Sequence, residues 1–430
     1  MAVDFSQLPT ENAEVVTRPS RTLWSIVFLA TASVLALVIL RFWPAQSPTN
    51  TLKFWVTLIV FPVGIPLFIV LRRYSYFEGR NLDAEMQREA AHEYNEKVFA
   101  AASRPLRILG SAFRFSAERR ENACSAVRSG TVNLVTRDPI ASDSDPVKAR
   151  WFEVPEIELD SEMDDRARQV AVTRWLYSEL LADLAKAIRV LPSGSAIEVS
   201  LWLSGELDRE AYVALWQECW AEQRLPSSMQ IANEEPPAGI DIMDGWLDRA
   251  IAGEATQVIR LVASVQLHPV ISSSPPTGTS EAGAALLLAP DALVRRHDLI
   301  ACARLHRPVR GDVDAPKAML ANALKWADVT AEKIPSGWKT GLSVDQSSKL
   351  HQTARQLGVE ATPTDIDQTI GYAGVASPWL ALACAVDALS EQTSSQIIVT
   401  AEQRTMLSAV VRRDDNKDAA RDSDRTQAVS

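Results

Sequence analysis

Thiol, imidazole and carboxylate side chains carry most enzymic chemistry, so the first question is whether this chain sets any at a working spacing. Its four cysteines, Cys124, Cys219, Cys302 and Cys384, stand far apart and form no C-x-x-C pair. In a reducing compartment they read as small buried apolar residues. The five histidines do not cluster with them, so no zinc site is expected. His92 has no second ligand at helical spacing and reads as part of a solvated helix face. His268, His297 and His306 lie around expected strands, and with Ser272, Ser273 or Ser274 would need a triad geometry that spacing does not supply. The stretch "SPPTGTSEAG" (274–283) has two glycines but neither a Walker lysine nor the setting of a nucleotide loop. Glu281 and Asp298 read as loop or capping residues.

One stretch has the shape of a site. In "TDIDQTIGYAGVASPWLALACAVDALS" (364–390) a polar approach ends at Gly371, a small-residue turn holds Tyr372 and Gly374, and an apolar helix follows. A backbone often delivers a catalytic side chain this way. Yet the residue delivered is a phenol, whose ordinary pKa of about 10 suits neither a general base nor a thiolate partner at neutral pH. The turn therefore reads as the shell of an active site, with Tyr372 packed into the core.

The elements around it follow from composition and periodicity. With 47% hydrophobic and 23% charged residues, most of the 430-residue chain should bury a core. A net charge of −10 argues against nucleic-acid binding through a basic surface. Two uncharged apolar runs, 23–40 and 54–71, are each long enough to cross a bilayer as a helix. Trp24, Phe42, Trp43 and Trp55 lie near their ends, as an aromatic belt would. Arg18 and Arg21 before the first run, and Arg72, Arg73 and Arg80 after the second, place both termini in the cytoplasm. Pro62, Gly64 and Pro66 should kink the second helix. The expectation is an inner-membrane hairpin contacting lipid, with the main domain cytoplasmic.

Beyond it, 81–102 should continue as a helix, and "RILGSAFRFSA" offers a first strand. The periodicity predicts a long amphipathic helix over 164–189, a strand over 196–205, a helix over 208–223 and a strand over 256–268. "AALLLAP" and "DLIACARLHRPV" look like paired strands joined through Asp291, Arg295 and Arg296. Helices follow at 317–334 and 347–358, and "SSQIIVT" with "TMLSAVVRR" should close a hairpin. Helices alternating with apolar strands indicate a layered α/β domain.

The ordered set from 264 to 411 resembles the thiolase-like fold, in particular the second half of β-ketoacyl synthases. "TSEAGAALLLAPDAL", "ACARLHRPVRGD", "MLANALKWADVTAEKI", "KLHQTARQLG" and "IGYAGVASPWLALACAVDAL" come in family order. The resemblance implies a cysteine nucleophile and two histidines, and the matching positions lack them. Cys219 sits in "LWQECWAEQ" without the small residues around the family nucleophile. The first histidine would fall near Gly341–Ser347 and the second at Tyr372, while "TAEQRT" (400–405) replaces the glycine-rich loop. The division expected is a cytoplasmic segment 1–22, a transmembrane hairpin 23–72, a connecting helix 73–105, a degenerate thiolase-like α/β domain 106–413 and a disordered tail 414–430.

The whole arrangement also resembles a bacterial family that includes adaptors for lipase effectors of the type VI secretion system. That resemblance implies a noncatalytic, membrane-anchored adaptor or scaffold without cofactors, which binds a protein partner such as a secreted effector or a spike component. Exposed tryptophans, from a total of twelve, would serve such a surface. The alternative is a membrane-bound acyl-group or acyl-carrier binding protein or enzyme of lipid metabolism that keeps an open pocket. Analogy with the fold adds a homodimer.

Overall fold

The computed structural model describes residues 8–9, 17–44, 48–140, 145–157, 163–226, 228–232, 239–253, 257–360, 362–402 and 404–414. The chain divides into two units, residues 3–100 and residues 101–430.

The first unit is built on α1 (Arg21–Phe42) and α2 (Leu52–Ala102), both long and apolar enough to cross a membrane. At 1.5 Å per residue α1 spans ~33 Å, the thickness of a hydrocarbon core. It buries no side chain and is apolar all round, as a helix solvated by lipid would be. Its hydroxyls turn inward: Thr31 Oγ1 donates to Val27 O at 2.7 Å and Ser33 Oγ to Leu29 O at 2.8 Å, so neither needs water. Pro62 and Pro66 lie inside α2, which runs as one helix through them and on to Ala102. Asn95 Nδ2 donates to Pro9 O at 3.0 Å, which sets the segment before α1 beside the far part of α2.

The second unit is built on an eleven-stranded sheet that repeats itself, with helices on its faces and a small two-stranded sheet (Thr136–Arg137 with Val147–Lys148) apart from it. Its first half runs β1 (Leu106–Arg114), α3 (Asp165–Arg189), β2 (Ala196–Ser204), α4 (Arg209–Glu222), β3 (Met229–Ile231), α5 (Ile242–Ile251), β4 (Val258–Gln266) and β5 (Ala282–Pro290). The second half runs β6 (Ala303–Leu305) and β7 (Val309–Asp312), then α6 (Pro316–Trp326), β8 (Ser336–Thr340), α7 (Val344–Gln356), β9 (Thr364–Asp365), α8 (Ser377–Asp387), β10 (Ser395–Glu402) and β11 (Thr405–Arg413). The strand order is β3-β2-β4-β5-β1 in one half and β9-β8-β10-β11-β6 in the other. In each, the first three pair in parallel, and the fourth is antiparallel to both neighbours. The halves join where β1 pairs with β6, Leu106 opposite Leu305.

Strand alternation sorts the core into layers. Ile259, Leu261, Ala263 and Val265 of β4 face α3 and α4, whereas Val262 faces α5 and α8. Ile397 and Val399 of β10 face α6 and α7, while Ile398 turns to α8. One face of each half thus packs on the same pair of helices. That gives five layers, helix–sheet–helix–sheet–helix, a mixed α/β architecture. β5 is buried on both faces, which accounts for its unbroken "AGAALLLAP".

Several expectations need correction. "AALLLAP" and "DLIACARLHRPV" are not partners: β1 lies between β5 and β6, and Asp291–His297 is helical. Glu281 lies in the loop before β5 but is neither a solvated loop residue nor a cap. It is fully buried, paired twice with the equally buried Arg168 at 2.8 and 3.0 Å, and accepts from Phe152 N and His268 N. Asp298, by contrast, does close a helix, in the left-handed region. Cys302 is exposed in the bend before β6, unlike the other three cysteines. Trp151, Trp202, Trp216, Trp220, Trp246, Trp326, Trp338 and Trp379 are core residues and Trp175 is half-buried, so no tryptophan of this unit is fully open to solvent. Asp414, placed in the expected tail, is held in the fold, its carboxylate pairing with Arg304 at 2.8 Å and with Arg107; the rest of that tail, 415–430, lies outside the described residues.

Candidate functional site

Repetition brings equivalent elements of the two halves to one place. A cleft of about 460 Å³ opens there. Its walls are the approaches to α5 and α8, the ends of β4 and β8, and the turn between β10 and β11. Three stretches singled out from sequence reach it: Gly341 of the 341–347 stretch (with Thr340 before it), the turn with Tyr372 and Gly374, and Thr400 to Glu402 with Thr405. Gly371, next to Tyr372, is not among the lining residues.

The Tyr372 turn is laced to the loop before β5. Tyr372 N donates to Gly278 O at 2.8 Å, Ser280 N to Tyr372 O at 3.0 Å, and Ser280 Oγ to Gly371 O at 2.9 Å. Gly371 sits at φ +107, where a Cβ would come within 2.8 Å of Thr279 O. Gly374, at φ +48, leaves room for the Gln266 side chain, whose Oε1 accepts from Val375 N at 3.3 Å. Both glycines are therefore demanded by the backbone. Tyr372 itself is not packed into the core as expected: it is 40% exposed and forms part of the cleft wall. The turn is pinned by backbone bonds on one side, which leaves the side chain to face the opening.

Five residues before Tyr372 in the chain, Asp367 accepts from Thr340 Oγ1 and from Gly341 N, both at 2.6 Å. Burial raises the Asp367 carboxyl above its ordinary range, and these two bonds only partly offset that. Tyr372 is raised too, first by burial and then by the charges of Asp367 and Glu402. The phenol thus stays protonated at neutral pH. Arg310 and Asp241, on facing walls, form an ion pair.

No family model and no curated protein matches this sequence. Solved structures do. A β-ketoacyl synthase from Burkholderia phymatum STM815 is 12% identical, with 73% of this chain and 100% of that chain covered at a TM-score of 0.47. The peroxisomal 3-ketoacyl-CoA thiolase of Saccharomyces cerevisiae, described as five-layered with two core domains of identical topology, is 9% identical over 73% and 98% at 0.45. An Ascaris suum thiolase in complex with coenzyme A is 9% identical over 72% and 100% at 0.44.

Elsewhere the candidate residues are dispersed. Cys219 is buried on α4, its Sγ 3.6 Å from Arg174 O, away from the cleft. His306 is buried in a basic surrounding, and burial first, then Arg412, Arg304 and Arg107, pull it down to about 3. Ser272 lends its N–H to Asp165 Oδ2 at 2.8 Å, a loop anchor. His92 sits on the exposed part of α2, within 3.4 Å of Glu96. Among the described residues no group of three or more His, Cys, Asp or Glu could hold a metal. The cleft residues missed from sequence include Asp241, Gln266, Arg310 and Trp202. Only Asp241, just before "IMDGWLDRAI", carried a local signal, that of a helix start.

Proposed function

We propose that this protein is a noncatalytic, membrane-anchored binding protein of thiolase-like architecture, acting as an adaptor or scaffold for a protein partner. One observation carries the reading. The cleft formed by equivalent elements of both halves has no cysteine or histidine among its described lining residues. The stretch 233–238, which leads into it in sequence, contains neither. Acyl transfer of the synthase kind needs a thiolate and imidazoles at such a point. The hairpin would hold the protein in a bacterial inner membrane with both termini and the α/β unit in the cytoplasm. The whole-chain resemblance makes the partner a secreted, lipase-like effector or a spike component of a type VI secretion system. A homodimer belongs to the same reading.

A second reading, an acyl-group or acyl-carrier binder of lipid metabolism, is favoured by the cleft volume, which falls within the usual range for small-ligand sites. The test is capture from membranes in mild detergent with the tagged full-length protein, identified by mass spectrometry, beside the same protein lacking residues 1–80. Recovery of a secretion effector or spike component with both supports the adaptor and assigns binding to the α/β unit. Recovery of acyl carrier protein, with no secretion component, overturns it in favour of the second reading.

A further inference from the structure

The cleft has a chemical preference that its backbone and charges define. Helix starts ordinarily favour anions through free N–H groups, but those at this cleft are spent. At α8, Ala373 N donates to Ser377 Oγ at 2.8 Å, Val375 N to Gln266 Oε1 and Ala376 N to Ala373 O at 2.9 Å, and Pro378 has no N–H. At α5, the N–H groups of Ile242, Met243 and Asp244 bond to Gly239 O, Ile240 O and Asp241 O. The one Lys or Arg among the described lining residues, Arg310, is committed to Asp241.

Besides the buried indole N–H of Trp202, which has no hydrogen-bond partner, what remains uncommitted among the described lining residues is a carboxylate and an aromatic face. Glu402, exposed at the turn between β10 and β11, has no ion-pair partner among the described residues. Tyr372 is the one exposed Phe, Tyr or Trp among the described residues of the unit 101–430. Both line the cleft, and the Glu402 charge is close enough to act on the Tyr372 phenol. A carboxylate and an aromatic ring lining one concave site select an organic cation, because the ring face and the carboxylate are both electron-rich.

We infer that the cleft seats a lysine or arginine side chain of the protein partner, with Glu402 as counter-charge and Tyr372 as the wall it lies against. This rests on the adaptor reading and gives its partner a chemistry: a segment presenting a basic residue to a protein of net charge −10.

The experiment uses the full-length protein in detergent, titrated calorimetrically with acetyl-Gly-Arg-Gly-amide and, separately, with octanoate. The peptide is expected to bind weakly and saturably. Glu402→Gln and Tyr372→Ala should each weaken it about fivefold, the scale of one semi-exposed ion pair or cation–π contact. Tyr372→Phe, which keeps the ring face, should stay close to the parent and shows that the turn is intact. Unchanged peptide affinity in Glu402→Gln and Tyr372→Ala overturns the inference and leaves only general attraction to an acidic surface. Octanoate binding that Glu402→Gln strengthens overturns it in favour of an acyl site. Capture with Glu402→Lys separates the two levels. An identified partner retained by that variant overturns the cation site while the adaptor stands. Cleft-dependent peptide binding without any captured protein upholds the site and sinks the adaptor.

Discussion

Gly341 shows how tightly single residues define the cleft. It sits at φ +76 where β8 ends, and a Cβ there would run into the Ala401 carbonyl on β10. Gly341→Ala combines a strained backbone, which costs about 1–3 kcal/mol, with a clash that must push the two strands apart. The expected outcome in a thermal melt is a midpoint lower by several degrees, with a folded protein below it. At this scale the sequence was a partial guide. The glycines and the tyrosine of the 371–374 turn stood out because small residues before an apolar run are a local signal. The direction of the Tyr372 side chain was misread, since it depends on the bridge to Thr279, almost a hundred residues upstream.

Helices reported themselves well, and strand partners only where a short turn joins them, as in β10 and β11. The 25 residues of α3 begin at Asp165, one residue from the sequence expectation, with Asp164 capping Ala167 N at 2.7 Å. Asp165 does more than start the helix. Its carboxylate accepts from the N–H groups of Val270, Ile271 and Ser272 at 2.7–2.9 Å and so ties the 270–272 loop to α3. Burial works against its charge, but the bonds from Ser272 and from these backbone groups outweigh it, so its folded pKa is depressed. A depressed carboxylate gives stability that is whole above the unfolded value of about 3.9 and fades as pH falls through the folded pKa. Asp165→Asn should therefore be less stable than the parent at pH 7, and the gap in denaturant midpoints should close as the pH is taken well below 4. The strand pairing missed at this scale has a plain cause. β1 inserts between β5 and β6 from over 160 residues upstream, and no local pattern announces such an insertion.

At the scale of the whole molecule, the inner helix layer makes the two halves interdependent. Trp379 and Leu380 of α8 share one buried cluster with Phe113 and Leu286 of the first half and with Trp338 and Ile398 of the second. A fragment of residues 101–297 would leave the α5 side of that layer, with Trp246 and Met243, open to water. Each large side chain so exposed forgoes about 2–3 kcal/mol of burial. The fragment is expected to show no near-ultraviolet circular dichroism of fixed tryptophans, while residues 101–430 show it fully. A native-like spectrum from the fragment would mean that one half suffices. What the sequence by itself determined is what short-range patterns encode: two apolar helices long enough for a bilayer, the alternation of helices and strands, the closing hairpin of β10 and β11, and the stretches that edge the cleft. The tertiary structure alone decided how distant pieces meet. It set the twofold repetition of strand order, the burial of the Glu281–Arg168 pair and most tryptophans, and the pairing of Arg310 with Asp241. The reason is physical: periodicity records which face of an element is buried, while partners across a sheet are chosen by the packing of the whole chain.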